Sequence, residues 1–251
     1  MKLVPDKISF RRIALKSWLV MSVVLLLFST GFCQTGWRDI DYRHTTCKNF
    51  RSNPFFSQSI DFDHIDYRLL HAAIFYVTNE IRIKNKRMPL AFALELERAA
   101  HLHAKSMVEQ DFFSHDNPYD KNRRTPEKRA RLAGIKNPFI AENIATHFGI
   151  QYQAGAPVYP VDRSKGTFSY NSSDSLIPNH TYLSFAEAIV KQWMESSGHR
   201  ANILSKDAVQ LGCGAYFYRD PNFHNMPTFK AVQNFQLYRQ IVPGKGIDRW
   251  P

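Results

Sequence analysis

Three short segments put an imidazole or a carboxylate where it can act on something outside the chain. They are Phe112-Phe113-Ser114-His115, Ala141-Glu142-Asn143-Ile144-Ala145 and Ser197-Gly198-His199-Arg200. Each sets its His or Glu beside apolar or glycine-flanked backbone. Brought together, two imidazoles and a carboxylate can hold a zinc-like ion with open coordination positions. They can equally place a general acid and base around a bound substrate. A third reading is structural, with Glu142 capping backbone amides while His115 and His199 fix their loops. No nucleophile accompanies them. Gly-x-Ser-x-Gly and His-Glu-x-x-His are absent, and neither Cys47 nor Cys213 neighbours a base in the sequence. The set therefore reads as a binding cleft ahead of a catalytic one.

The elements that must position these residues follow from apolar spacing. Leu70, Ile74, Val77 and Ile81 repeat at four, three and four, which predicts a helix opening near Asp66. A second helix carries Leu96, Ala100, His103 and Met107 on one stripe, so His103 is expected as a satisfied core histidine and His101 points toward solvent. Thr125-Pro126-Glu127 opens a short helix that Gly134 closes. Ser184-Phe185-Ala186-Glu187 reads as a capping box starting the helix with the stripe Phe185, Ile189, Trp193, which gives Glu187 a structural task. That helix is expected to stop at Gly198, leaving His199 just past its end, held by backbone or capping the helix dipole. Residues 209–218 and 229–237 read as antiparallel strands joined around Asp220-Pro221-Asn222. Helices around a small sheet make an α+β class. Residues 34–65 lack a period and read as an N-terminal extension. The polar stretch 150–181 reads as a long loop, a lid or partner surface beside the site in sequence.

Composition bounds the rest. Lys2, Lys7, Arg11, Arg12 and Lys16 precede an uncharged stretch with an apolar core from Trp18 to Phe28 and small residues at Ser29, Thr30 and Gly31. That order predicts a secretory leader over residues 1–33, with a permanent anchor, which needs about 20 apolar residues, as the alternative. The expected location is secreted, periplasmic or at the cell surface. The full chain carries a net charge of +11, and the excess is scattered, as in Lys121, Arg123, Arg124, Lys128, Arg129 and Arg131. Such a surface suits anionic lipid or envelope polymer, or is simply a solvated face. Export argues against nucleic acid. An oxidising compartment permits a Cys47–Cys213 bridge, while a cysteine in a buried strand reads equally as a small hydrophobe.

Taken in order with Val77-Thr78-Asn79-Glu80-Ile81-Arg82, Met88-Pro89-Leu90 and Ala99-Ala100, the three segments resemble the CAP superfamily. That superfamily groups cysteine-rich secretory proteins, antigen 5 and plant pathogenesis-related 1 proteins, and the similarity is to its bacterial SCP-like branch. It covers a domain over 66–240, followed by a tail at 241–251. The resemblance implies an α-β-α sandwich with a small antiparallel sheet flanked by helices, and a cleft lined by His115, Glu142 and His199. Ala141 stands where the family's Gly-Glu-Asn motif has glycine. Glu195 is the nearest match to a further glutamate that many members carry before the second histidine. By the same resemblance, the leading function is a secreted binding module for a small ligand, lipid or envelope polymer. The alternative is a metal-assisted hydrolase of peptide or envelope material, with His115 and His199 holding a Zn2+ ion and Glu142 as base or ligand. A third reading is a structural or interaction protein with a vestigial cleft, in which loop 150–181 matters most. Oligomeric state is left open.

Overall fold

The computed structural model describes residues 36–171 and 175–248. The leader expected over 1–33 lies outside them. A short helix α1 (Asp41–His44) and two 3₁₀ turns (Phe50–Ser52 and Pro54–Ser57) precede the first long helix. This stretch, expected as an extension, packs into the core: Trp37, Phe50, Phe56 and Ile60 are buried in one cluster with the residues of the long helices. Their aromatic rings meet Tyr76 edge-on or stacked, contacts with no sequence period to announce them. The main chain closes the same region, with Ile60 N donating to His180 O (2.8 Å) and Tyr182 N to Gln58 O (3.1 Å).

Helix α2 (Tyr67–Lys84) begins where the side chain of Asp66 accepts from Leu69 N, as its apolar spacing predicts. Strand β1 (Ala91–Phe92) leads into α3 (Leu94–Glu109), whose stripe Leu96, Ala100, His103 and Met107 is buried. Helix α4 (Pro126–Leu132) is capped by Thr125 and closed by Gly134 at a φ of 111°. Next come β2 (Ile140–Phe148), the hairpin strands β3 (Tyr159–Asp162) and β4 (Thr167–Ser169), α5 (Tyr182–Glu195) and α6 (Ser197–Ile203). Strands β5 (Ala208–Asp220) and β6 (Met226–Leu237) are antiparallel neighbours, as expected.

The sheet runs β1-β5-β6-β2, antiparallel except for the β1–β5 pair, and β2 forms one edge. Helix α3 lies on one face. Gly212 and Gly214 let it settle there, because a Cβ at either would sit 2.0 Å from Glu97 N or 2.1 Å from His101 N. On the other face Leu211, Cys213 and Ala215 join the cluster of Ile74, Phe185, Ile189 and Trp193 from α2 and α5. The fold is α+β, an α-β-α sandwich.

Four local expectations change. The reciprocal cap of α5 is formed by Thr181 and Ser184, so the helix starts at Tyr182, and Glu187 instead pairs with Arg51 (2.6 Å). Helix α5 ends at Glu195, and Gly198 and His199 lie in the first turn of α6 rather than past a helix end. His101 is buried, its Nδ1 3.1 Å from Ala215 O, because α3 presses so closely on the sheet. Loop 150–181 departs from the end of β2 remote from Glu142, six residues or about 20 Å along the strand. It folds into the β3–β4 hairpin, which docks at the β5–β6 turn through Asn225 Nδ2 to Arg163 O (2.9 Å), so it is no lid over the three candidate residues. Cys47 and Cys213 are unpaired. Among the described residues no helix is long and apolar enough to cross a membrane.

Candidate functional site

Glu142 is the centre of the site, and it is almost fully enclosed, its side chain 2 % exposed. Strand β2 aims it at the α3 face of the sheet, where His115 Nδ1 donates to its Oε1 (2.9 Å) and Arg129 Nη2 to its Oε2 (2.7 Å). Asn234 opposite on β6, in the amide orientation that satisfies its neighbours, donates to the same Oε2 (3.0 Å). Burial pushes the Glu142 carboxyl up, but the bond from His115 and the charge of Arg129 more than offset this and hold it below the usual carboxylate range. A buried carboxylate without those partners would cost several kcal/mol (order of magnitude).

His115 sits on the loop after α3, and that loop is bolted down. Lys230 Nζ donates to Met107 O (2.7 Å) and Phe112 O (2.9 Å), closing the C-terminal end of α3. Arg129 Nη2 also donates to His115 O (3.0 Å), while its Nη1 holds Arg123 O and Arg124 O. The His115 ring is 51 % exposed and presents its Nε2 edge outward. Its hydrogen bond to Glu142 raises its pKa above the ordinary imidazole value, against a smaller contribution from burial.

His199 reaches the same cleft from α6. Asn143 Nδ2 donates to His199 O (3.1 Å) and Asn202 Nδ2 to Asn143 Oδ1 (2.9 Å), tying the first turn of α6 to β2. The other end of α6 is closed by Arg82 Nη1, which donates to Ile203 O (2.6 Å) and Ser205 O (2.9 Å). Burial and the neighbouring charge of His115 lower the His199 pKa. Beside it runs a groove of about 370 Å³ lined by Phe113, Ile144, Thr146, Gln192, Trp193 and His199, among others.

The structure joins His115 to Glu142 and sets the first turn of α6, which carries His199, against the neighbouring Asn143 of β2. Glu195 stays on the exposed side of α5, with Lys191 Nζ 4.0 Å from its Oε1. Two further residues stand at the site that the sequence reading did not assign to it. Arg129 falls among six basic residues that look like a solvated face, yet it is buried. The cue was its place beside Ala130 and Ala133 on a short capped helix. His103, read as a core histidine, is one: its Nε2 lies 3.0 Å from Ser114 O. It also backs Glu142 at 3.9 Å, and burial drops its pKa to about 4, so it adds a neutral wall.

For a zinc-like ion the available donors are the imidazoles of His115, which is exposed, and His199, which is half-buried. Both oxygens of Glu142 are engaged, and among the described residues no group of three or more His, Cys, Asp or Glu is placed to hold a metal ion. A closed zinc set needs four ligands and a catalytic one three. As placed, these residues do not complete either.

A family model described as the cysteine-rich secretory protein family (CAP) matches residues 75–235. No curated protein matches the chain. Solved structures similar to it include the following three. An extracellular protein containing an SCP domain from Bacillus anthracis is 22 % identical, covering 69 % of this chain and 42 % of its own, at a TM-score of 0.44. An outer surface protein from Borrelia burgdorferi is 15 % identical over 72 % of this chain and 98 % of its own, at 0.41. A cysteine-rich secretory protein from Staphylococcus aureus is 12 % identical over 68 % of this chain and 39 % of its own, at 0.40. The chain spans less than half the length of the first and third of these.

Proposed function

The chain belongs to the CAP family of cysteine-rich secretory proteins, and from that premise we propose that it is an extracytoplasmic binding module. Its cleft, formed by His115, Glu142 and His199, takes a small ligand, a lipid or a cell-envelope component. One observation carries this reading: both oxygens of the central carboxylate are already held, one by His115 and one by Arg129. A general base must reach the proton it removes, and a carboxylate 2 % exposed behind His115 and Arg129 does not. Glu142 has instead the arrangement of a fixed counter-ion, which orients His115 and leaves the Nε2 edge of that ring for a ligand. The adjoining groove supplies the apolar wall that ligand pockets need. A basic leader pattern and the extracellular and surface labels of the similar structures support placement outside the cytoplasm.

Calorimetric titration of the purified protein with zinc, with a fatty acid and with soluble envelope-polymer fragments tests this reading. Binding of one of the last two is expected, weakened at least tenfold in a His115→Ala/His199→Ala variant, with no stoichiometric zinc. One zinc per chain that disappears in that variant would overturn it in favour of the metal-assisted hydrolase.

A further inference from the structure

Strand β2 is the sheet edge that forms the floor of the groove beside His199. The alternation of its main chain can be read from its bonds. Phe139 O accepts from Leu237 N (2.9 Å) and Gly149 N donates to Pro227 O (2.7 Å), so odd-numbered residues face β6. Even-numbered residues face the open side. There, Asn202 Nδ2 reaches Glu142 O (3.4 Å) and Gln192 Nε2 reaches Thr146 O (3.3 Å). Two side-chain amides thus occupy the places of main-chain donors on a neighbouring strand. Between them Ile144 turns both its N–H and its C=O outward, and neither has a partner among the described residues. Trp193, on the groove wall, buries its indole N–H with no acceptor.

Unpaired main-chain groups beside an apolar wall are costly unless something fills them. A hydrocarbon chain supplies neither donor nor acceptor. An extended peptide supplies both, at the spacing a strand edge requires. We propose that the open edge of β2 binds an extended peptide segment as an added strand, exchanging main-chain hydrogen bonds with Ile144 between the Asn202 and Gln192 caps. This rests on the binding-module reading and names its ligand class. The caps restrict the open edge to a few residues, so the bound segment is short. Side chains of the added strand alternate between Phe113 on one wall and Trp193 on the other. The groove lining contains no carboxylate, and its one titratable side chain is His199. A peptide with a hydrogen-bonding side chain toward the His199 end is therefore the complementary partner.

Random hexapeptides displayed on phage, selected on the full-length protein, test the proposal. Synthetic versions of the enriched sequences are then measured by fluorescence anisotropy. Thr146→Pro deletes an outward N–H that no ladder bond uses, a place where an edge strand tolerates proline. Ser196→Trp fills the rim from a residue whose side chain makes no cap bond. Both variants are first checked for an unchanged thermal transition, and either one suffices if the other fails to fold. Peptide binding is expected to fall at least tenfold in each, and equally when alternate peptide amides are N-methylated. Peptides indifferent to all three changes overturn the proposal, as does enrichment of none, whether or not a fatty acid binds. The His115→Ala/His199→Ala variant separates the two readings. Peptide capture that survives there but is lost in Thr146→Pro leaves the edge standing without the imidazole cleft, and the reverse pattern leaves the cleft without the edge.

Discussion

At the scale of the residue, one buried carboxylate organises the site, and its environment fixes a pH window. The raised pKa of His115 means that its stabilising contact with Glu142 is fully present below the ordinary imidazole value and is lost as pH climbs through the raised folded value. The lowered pKa of Glu142 works in the other direction: its contribution is present above the ordinary carboxylate value and is lost as pH falls through the depressed one. The contact is therefore strongest between those limits. Glu142→Gln removes the charge and keeps the shape. The His115 ring, followed by NMR, is expected to titrate lower than in the parent, toward about 6.5. A midpoint that stays raised would dissociate His115 from Glu142. In the sequence, the three candidate residues were legible because short motifs in a fixed order carry them. Arg129 was not, since a charge that is buried by its partner looks, in one dimension, like any other charge in a basic run.

At the scale of the element, periodicity found the helices whose stripes face the core and the two strands of the β5–β6 hairpin. It gave no warning of β2, which carries apolar and polar side chains on both faces: Ile144 toward α3, and Asn143 and Ala145 toward α5 and α6. It also misplaced the boundary at Ser196. The chain there turns from one helix into another, and the apolar stripe that marks α5 carries no information about where its backbone breaks. The approach of α3 to the sheet depends on two positions without a side chain. Gly214→Ala places a methyl 2.1 Å from a backbone nitrogen of α3, so the helix must shift. A loss of about 1–3 kcal/mol, or more, is expected in denaturant unfolding. An unchanged midpoint would mean that α3 is not held as closely as described. His101 follows from the same packing, because a helix lowered onto glycine brings even its off-stripe residues under cover.

At the scale of the whole molecule, both ends of the described chain are structural. The C-terminal segment crosses beside α4: Gly244 N donates to Gly134 O (2.6 Å), Lys136 N to Val242 O (3.0 Å), and Asp248 receives both terminal nitrogens of Arg123 (2.5 and 2.8 Å). Helix α4 in turn carries Arg129. Truncation after residue 240 is expected to lower the melting temperature by roughly 8–16 °C, given about 1 kcal/mol for each of these four bonds and about 2–4 °C per kcal/mol in a domain of this size. A truncated protein that melts with the parent would show the tail to be decoration. Neither end was readable in advance, because contacts made by single aromatic, glycine or aspartate residues have no repeat to betray them.

The N-terminal end has a consequence for how the chain is made. Ile60 and Gln58 bond through their main chains to residues 180 and 182, across a separation of about half the polypeptide. Synthesis delivers the first partner long before the second. Until residue 182 has emerged, that edge of the aromatic cluster around Trp37, Phe50 and Phe56 has nothing to close it, and it stays open to whatever holds nascent chains apart. A ribosome that releases the chain piecemeal thus sets when this protein can become itself.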